Sequence, residues 1–591
     1  MSPSIILTVC LSYMQAAPTL TDTLSPVSII AEKGISVTRT DTISLNEGST
    51  LNELLFSIPG AVINDNGGFS GLKSISFRGM GSAHTSIFVD GLRVSNLQSG
   101  QADLSFLDLN QFSSAQVDFA QNSVELRSSK PRLAGSKAAV RAHIEGGSFG
   151  TWLPSARVDF RITPGITARA SASASISEGN FPYPTNGSTA LRENNDIARY
   201  TGGFDLWGKL SGGSWHAKAF ASSTDRGTPG ATSWLSDDRQ KDRNAFIQAS
   251  LDKHFGRNYS LKLSTKAASD HIRFLSSWGD SDYRQNELQL NSSHLLKVNR
   301  HLDLSASISA QWDRLSSTSY EAARLSTISS AAAALHLGPL EGKFNLEHLG
   351  SFDHGTEGRH AFSPSAALSL AAGKYLSFSA LVRRSHRTPT FNELYYPGYG
   401  NPELKAESIS IIDLGASYRK SWSQIWTLEA KFNYFNHHLK DKIVSAPTIE
   451  DPNIWLPYNV GEARNHGLDA SAGLKWEKGS HGASLRLTYS HQDSELIYVY
   501  RHALNAAASL HSNSWDAVLN WTVRAGSKDS YGTLPDWNTL DLRIARHVSM
   551  RNWPDITLSL NARNILDRHY ETVRHYPMPG RSITAALTIN I

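Results

Sequence analysis

Cysteine is almost missing. Cys10 is the only one in 591 residues, which excludes an intrachain disulfide and a cysteine-based metal site. Long apolar runs are missing too. Past the N-terminus no stretch supplies the roughly 18 consecutive apolar residues that a membrane-spanning helix needs, so a polytopic helical membrane protein is excluded. Charge of one sign is not in excess: 57 basic against 53 acidic residues give a net +4, too little to argue for nucleic acid as a partner. There is no phosphate-binding loop, so no bound nucleotide supplies energy. No H-E-x-x-H occurs among the 22 histidines, and the adjacent His437 and His438 point to opposite faces of a strand.

What is present begins with an export signal. Ile5 to Tyr13 is a short apolar run followed by Gln15-Ala16-Ala17, giving a signal peptide over 1–17, although no Lys or Arg precedes the run. Residues 18–33 lack helical periodicity and read as a flexible segment. Leu51, Leu54, Leu55 and Ile58 then fall at helical spacing behind Ser49 or Thr50 as a cap, and Pro59-Gly60 stops the helix. Two alternating runs follow, Ile75-Ser76-Phe77-Arg78 and Ser86-Ile87-Phe88-Val89. The second ends at Asp90-Gly91, a hairpin signal. This small helix-and-sheet unit has glycine-rich polar loops at 67–71, 79–84 and 96–101.

Leu54-Leu55-x-x-Ile58-Pro59-Gly60-Ala61-Val62, Ile75 to Ser82 and Phe88-Val89-Asp90-Gly91-Leu92-Arg93-Val94 resemble the plug of TonB-dependent outer-membrane receptors. Three motifs in one order over about 60 residues are specific where any one alone is weak. Gly67-Gly68-Phe69-Ser70-Gly71 and Ser99 to Ser105 are most similar to the cobalamin-receptor branch. The tail departs from the family: Ala120-Gln121 stands where an Arg-Gly pair is usual, and Lys137 to Val140 replaces a glycine-rich approach.

From about Ala142 the apolar period becomes two. Leu302, Leu304, Ala306, Ile308, Ala310 and Trp312 alternate with polar or small residues. So do Ile556, Leu558, Leu560 and Ala562 against Thr557, Ser559, Asn561 and Arg563, and the run Ile583 to Ile591 repeats the pattern. Alternation sustained over some 450 residues points to a closed membrane barrel, lumen-facing polar residues hiding its membrane character. Arg387-Thr388-Pro389 to Tyr395, with Asn401 to Glu407, resemble the paired boxes midway through such barrels, and Asn564 to Tyr570 with Pro579-Gly580-Arg581 the final turn. The resemblance implies a 22-stranded antiparallel transmembrane barrel over 142–591 with an α+β plug, 34–141, in its lumen, located in the outer membrane.

The resemblance also implies function. The chain is expected to be a transporter and no enzyme, importing a scarce bulky solute, cobalamin or another corrinoid, with a ferric siderophore as the alternative. Haem is disfavoured because no histidine lies between Arg387 and Asn401. Thr23, Leu24, Ser25, Pro26, Val27, Ser28, Ile29 and Ile30 resemble the box that pairs, as an added strand, with the periplasmic domain of TonB. A periplasmic binding protein or surface lipoprotein is a further expected partner, with outer-membrane lipid around the barrel.

Ligand contacts are expected from Gly68, Phe69, Ser70, Gly71, Ser82, His84, Gln98, Ser99, Gly100 and Gln101 in the plug loops, and from Tyr395, Tyr396 and Tyr399 above. Arg78 and Arg93 are expected either to meet carboxylates inside the barrel, with Glu393, Glu429 and Glu571 the candidates by position, or equally to be solvated by water in the lumen. No cofactor is required. Asp225, Asp237, Asp238 and Asp242 suggest calcium in an extracellular loop, against the plainer reading of a solvated loop neutralised by Arg239 and Lys241. Gly146-Gly147-Ser148-Phe149-Gly150 fits G-x-S-x-G, but a strand follows it where an esterase needs a helix, so it reads as the first hairpin. A porin would not need the plug, and a secreted hydrolase would need a triad that is not placed.

Overall fold

A computed structural model describes residues 40–44 and 58–591, apart from 95, 97, 99, 101–102, 105–106, 108, 120–121, 134–135, 186, 355, 424, 448–454 and 551–552. Thr23 to Ile30, Ser99 and Gln101 lie outside the described residues.

Period-two sequence becomes strand throughout the second region. Twenty-two antiparallel strands, from 9 to 22 residues long, form one closed sheet, and a two-residue segment, Thr151–Trp152, supplements it. Closure is direct. Ala138–Gly147 pairs on one side with Ser155–Thr163 and on the other with the final strand, Ser582–Asn590, running from Thr584↔Gly147 to Asn590↔Arg141. The first wall strand begins at Ala138, four residues before the expected 142, because the short apolar run Ala138-Ala139-Val140 already pairs with Val158–Phe160.

Side chains sort by parity. Along Leu302–Ser317, Leu304, Ile308 and Trp312 point outward, Ile308 being 62% exposed, while Ser307, Asp313 and Leu315 are buried toward the lumen. Such an outward apolar band beside a polar interior suits lipid outside and protein or water inside. One end of the barrel carries short turns such as 164–165, 211–212 and 338–339. The other carries long loops at 178–196, 388–406, 441–461 and 564–581.

The plug fills the lumen. Its five-stranded sheet has the order Thr40–Ser44, Ser114–Asp118, Ser123–Arg127, Ser86–Val89, Leu92–Val94, with Ser86–Val89 parallel to Ser123–Arg127 and the other pairs antiparallel. A separate hairpin joins Ala61–Asp65 to Lys73–Phe77. Asp90 and Gly91 both take positive φ (51° and 87°), the tight turn that an Asp-Gly pair between apolar strands favours. Ile58, Ile75, Phe77, Ile87, Val89, Val117, Val124 and Leu126 form the core. Phe220 and Phe246 of the wall complete it, so plug and barrel share one apolar cluster.

Candidate functional site

Three plug loops converge at the long-loop end. The 67–71 turn meets the wall loops through Ser70, whose hydroxyl donates to Asn195 Oδ1 at 2.6 Å, and through Phe69, set edge-to-face on Phe149 at 5.8 Å. Gly68 holds φ 86° with the Pro579 ring 3.0 Å from where a Cβ would stand, so a side chain there is doubly disfavoured. Gly71 is buried beside them. In the second loop Ser82 is buried and His84 lies 3.0 Å from the Glu407 carboxylate. Burial holds the His84 pKa below its ordinary value against the opposing pull of Glu407, so the ring is neutral at pH 7. In the third, the Gln98 carbonyl accepts from Asn392 N at 3.4 Å, and Gly100 turns with φ 73°.

Above these loops the segment 388–406 folds inward. Thr390 and Glu393 form a reciprocal capping box that starts a helix over Phe391–Tyr395. Arg387 ends one wall strand and donates to Glu393 at 2.9 and 3.1 Å and to Glu407, the first residue of the next strand, at 2.8 Å. The two mid-barrel boxes are thus tied to each other, and through Glu407 to His84 of the plug. Tyr395 donates to Asp353 at 2.7 Å, Tyr396 sets its ring edge-on to Tyr320, and Tyr399 is buried and hydrogen-bonded to Ser445. Two of the three tyrosines therefore brace the loop.

The carboxylates opposing Arg78 differ from those expected. Arg78 is fully buried and donates through Nε to Asp469 at 2.8 Å and through Nη1 to Asp413, with the Phe435 ring centroid 4.6 Å from its guanidinium carbon. Burial alone would lower its pKa, and the two aspartates reverse that and raise it. Glu393 instead serves Arg387, Glu429 pairs with exposed Arg419, and Glu571 caps the His575 amide. The reason is register: position near a motif does not set which side chain reaches the lumen at the depth of Arg78. Arg93 meets the wall through its carbonyl, which accepts from Lys266 and Gln289.

The acidic group expected to hold calcium lies on two wall strands, Gly213–Ala231 and Trp234–Phe255, and not in a loop. Asp225 is bound to Arg239 at 2.8 Å and Lys241 at 3.1 Å, and Asp242 lies 3.3 Å from Arg226. Asp238 is buried and Asp237 exposed, two neighbours on opposite faces of one strand. Among the described residues, the three-ligand grouping within 4.8 Å is a different one, Asp90, Asp205 and His216, and Lys218 already sits 2.9 Å from Asp205. Ser148 is followed by strand, and its hydroxyl exchanges hydrogen bonds with the Ile583 backbone.

Residues 177–565 match the family model for the TonB dependent receptor-like beta-barrel, and residues 30–131 match the TonB-dependent Receptor Plug Domain. Similar curated proteins include the Vitamin B12 transporter BtuB of Vibrio vulnificus (strain YJ016), 27% identical over 225 residues, 36% of this chain and only 35% of that relative's length. They also include the Vitamin B12 transporter BtuB of Vibrio cholerae serotype O1 (strain ATCC 39541 / Classical Ogawa 395 / O395), 22% identical over 602 residues, 95% of this chain and 91% of that one. Among solved structures, the FrpB iron transporter from Neisseria meningitidis (F3-3 variant) is similar with a TM-score of 0.78 at 14% identity, covering 94% of this chain and 99% of that one. At that identity the likeness is one of fold.

Proposed function

This chain belongs to the TonB-dependent receptors of the outer membrane, and we propose that the solute it imports is a corrinoid, bound between the plug apex and the inward-folded loop 388–406. The observation that carries this reading is how the cations around the apex are spent. Arg226 contacts Asp103 and Asp242, Arg324 is bidentate on Asp353, Arg387 holds Glu393 and Glu407, and Arg192 donates to the Gly230 carbonyl. An anionic ferric chelate calls for arginines available to it, whereas three of these four are held by carboxylates and Arg192 is engaged by a backbone carbonyl. The apex loops present backbone groups and Gln98 with no net charge, which suits a large uncharged ligand. The sequence likeness to proteins named Vitamin B12 transporters points the same way.

Energy then comes from TonB acting on the N-terminal segment, with Thr23–Ile30 as its box. Equilibrium binding of cyanocobalamin and of ferric enterobactin to the purified, membrane-inserted protein tests the ligand class. Saturable cyanocobalamin binding without ferric enterobactin binding is expected. The reverse pattern rejects the corrinoid.

A further inference from the structure

His437 is the anomaly of the interface between plug and wall. It lies on the wall strand Trp426–Lys440, and its parity turns it to the lumen. It is fully buried, yet neither ring nitrogen has a hydrogen-bond partner among the described residues. A donor and an acceptor buried unpaired cost stability. A phenylalanine would fill the place without that cost, since the ring packs on Phe435 with centroids 5.2 Å apart.

The charges around the ring give it a use. Phe435, two residues along the same face, carries the Arg78 guanidinium 4.6 Å above its ring. Arg78 is held there by Asp413 and Asp469, which come from the strands on either side, Glu407–Trp422 and Glu462–Lys478. Asp413 stands opposite Phe435, and Ile411 stands opposite His437. Asp413 is therefore the diagonal neighbour of His437 on the lumen face, a spacing that a ring side chain can bridge. Across the other ladder His437 stands opposite Asn465, which donates to the Arg78 carbonyl. The plug brings Arg78 and His84 to face the ring, and the wall brings Asp413. His84 lies against Glu407, which Arg387 and Lys442 face in turn.

With Arg78 in place these charges balance. Asp413 accepts from Arg78 and from the Asn433 amide, and Asp469 from Arg78 and the Ser490 hydroxyl. Full burial and the guanidinium nearby keep His437 neutral. Withdrawing the plug changes both conditions at once. It takes the guanidinium from two buried carboxylates, the costly way to break an ion pair, and it removes the positive charge that opposed a proton on His437.

We propose that His437 is the reserve counter-ion of this anchorage. As Arg78 leaves, one ring nitrogen takes a proton from solvent and the imidazolium donates a charge-assisted hydrogen bond to Asp413. When Arg78 returns, the proton goes back to solvent. Because the ring is unpaired at rest, it gives up no partner to do this. Each release of the plug then takes up one proton, and Asp413 is not left without a cation. The inference rests on the plug moving in transport and not on which solute is carried.

Amide exchange over plug residues 73–94, in the purified, membrane-inserted full chain and corrected for the intrinsic effect of pH, reads the opening without any ligand. The range from pH 8.5 to 6.5 separates His437 from His84, which on release regains the ordinary histidine value of about 6.5. Paired with Asp413, the imidazolium keeps its proton above that value. Opening is expected to rise about tenfold across the range, because the open state binds a proton that the closed state does not. His437→Phe keeps the buried ring and His437→Gln keeps a donor. In either, the rise should fall to about twofold, the share of His84. A tenfold rise that persists in either variant assigns the proton to the carboxylates and overturns the proposal. So does an unmodified chain whose opening rises no more than about twofold. Failure of cyanocobalamin to bind would reject the corrinoid and leave this inference standing.

Discussion

Asp469→Asn isolates the anchorage of the plug. Asp469 is buried, accepts from Arg78 Nε at 2.8 Å through one oxygen and from the Ser490 hydroxyl at 2.7 Å through the other. The amide keeps the shape, removes the charge and turns one acceptor into a donor aimed at a donor. Breaking a buried pair by removing one partner costs about 3–5 kcal/mol, and the lower end applies here because Asp413 stays in place. A loss of about 3 kcal/mol is a hundredfold rise in the population with the plug released, at 1.4 kcal/mol per tenfold. Hydrogen exchange by mass spectrometry on the purified protein reads this directly. Amides of plug residues 73–94 should exchange roughly a hundredfold faster, and those of wall strand 302–317 should not change. Replacing the whole group with apolar residues, Arg78→Met with Asp413→Leu and Asp469→Leu, should exchange more slowly than the single variant, since no buried charge is left unpaired. A rise below about threefold in Asp469→Asn would refute the view that this pair anchors the plug.

Three further outcomes follow from the same geometry. Because burial depresses the His84 pKa, the unfolded chain binds more protons than the folded one as pH falls past the ordinary histidine value of 6.5, so plug stability declines from there downward; His84→Gln should flatten that decline in protease-protection curves between about pH 7.5 and 5. Gly100→Trp places a bulky side chain at φ 73° beneath the loop helix and, combined with Ser99→Trp, should weaken cyanocobalamin binding at least tenfold, about 1.4 kcal/mol, in isothermal titration with protein shown to be inserted. Glu393→Gln removes the charge facing Arg387 and weakens the capping box, so the 388–406 segment should be cleaved faster by added protease while the barrel stays resistant.

Much of the fold was legible because a barrel wall writes itself as a period of two. Leu304, Ile308 and Trp312 had to share a face, and Asp90-Gly91 had to turn. The partners of Arg78 were not legible, because they come from strands 335 and 391 residues away, and only closure of the sheet sets their depth. A signal was nonetheless present. Asp413 stands between Ile412 and Leu414, and Asp469 between Leu468 and Ala470, carboxylates at lumen positions flanked by apolar residues. Glu393 and Glu571, chosen for closeness to motifs, lie in loops where local capping uses them. The acidic cluster misled for a related reason: the hairpin of Gly213–Ala231 and Trp234–Phe255 is far longer than the 9–11 residues a spanning strand needs, so residues that looked like loop lie on paired strands.

Uptake of radiolabelled cyanocobalamin tests the account at its centre, in a host whose own corrinoid receptor is deleted and which expresses either this chain or a form lacking Thr23–Ile30. The full chain should restore uptake that a protonophore abolishes, and the deleted form should bind cyanocobalamin at the cell surface without importing it. Uptake that survives both the deletion and the protonophore would contradict energy coupling through the plug.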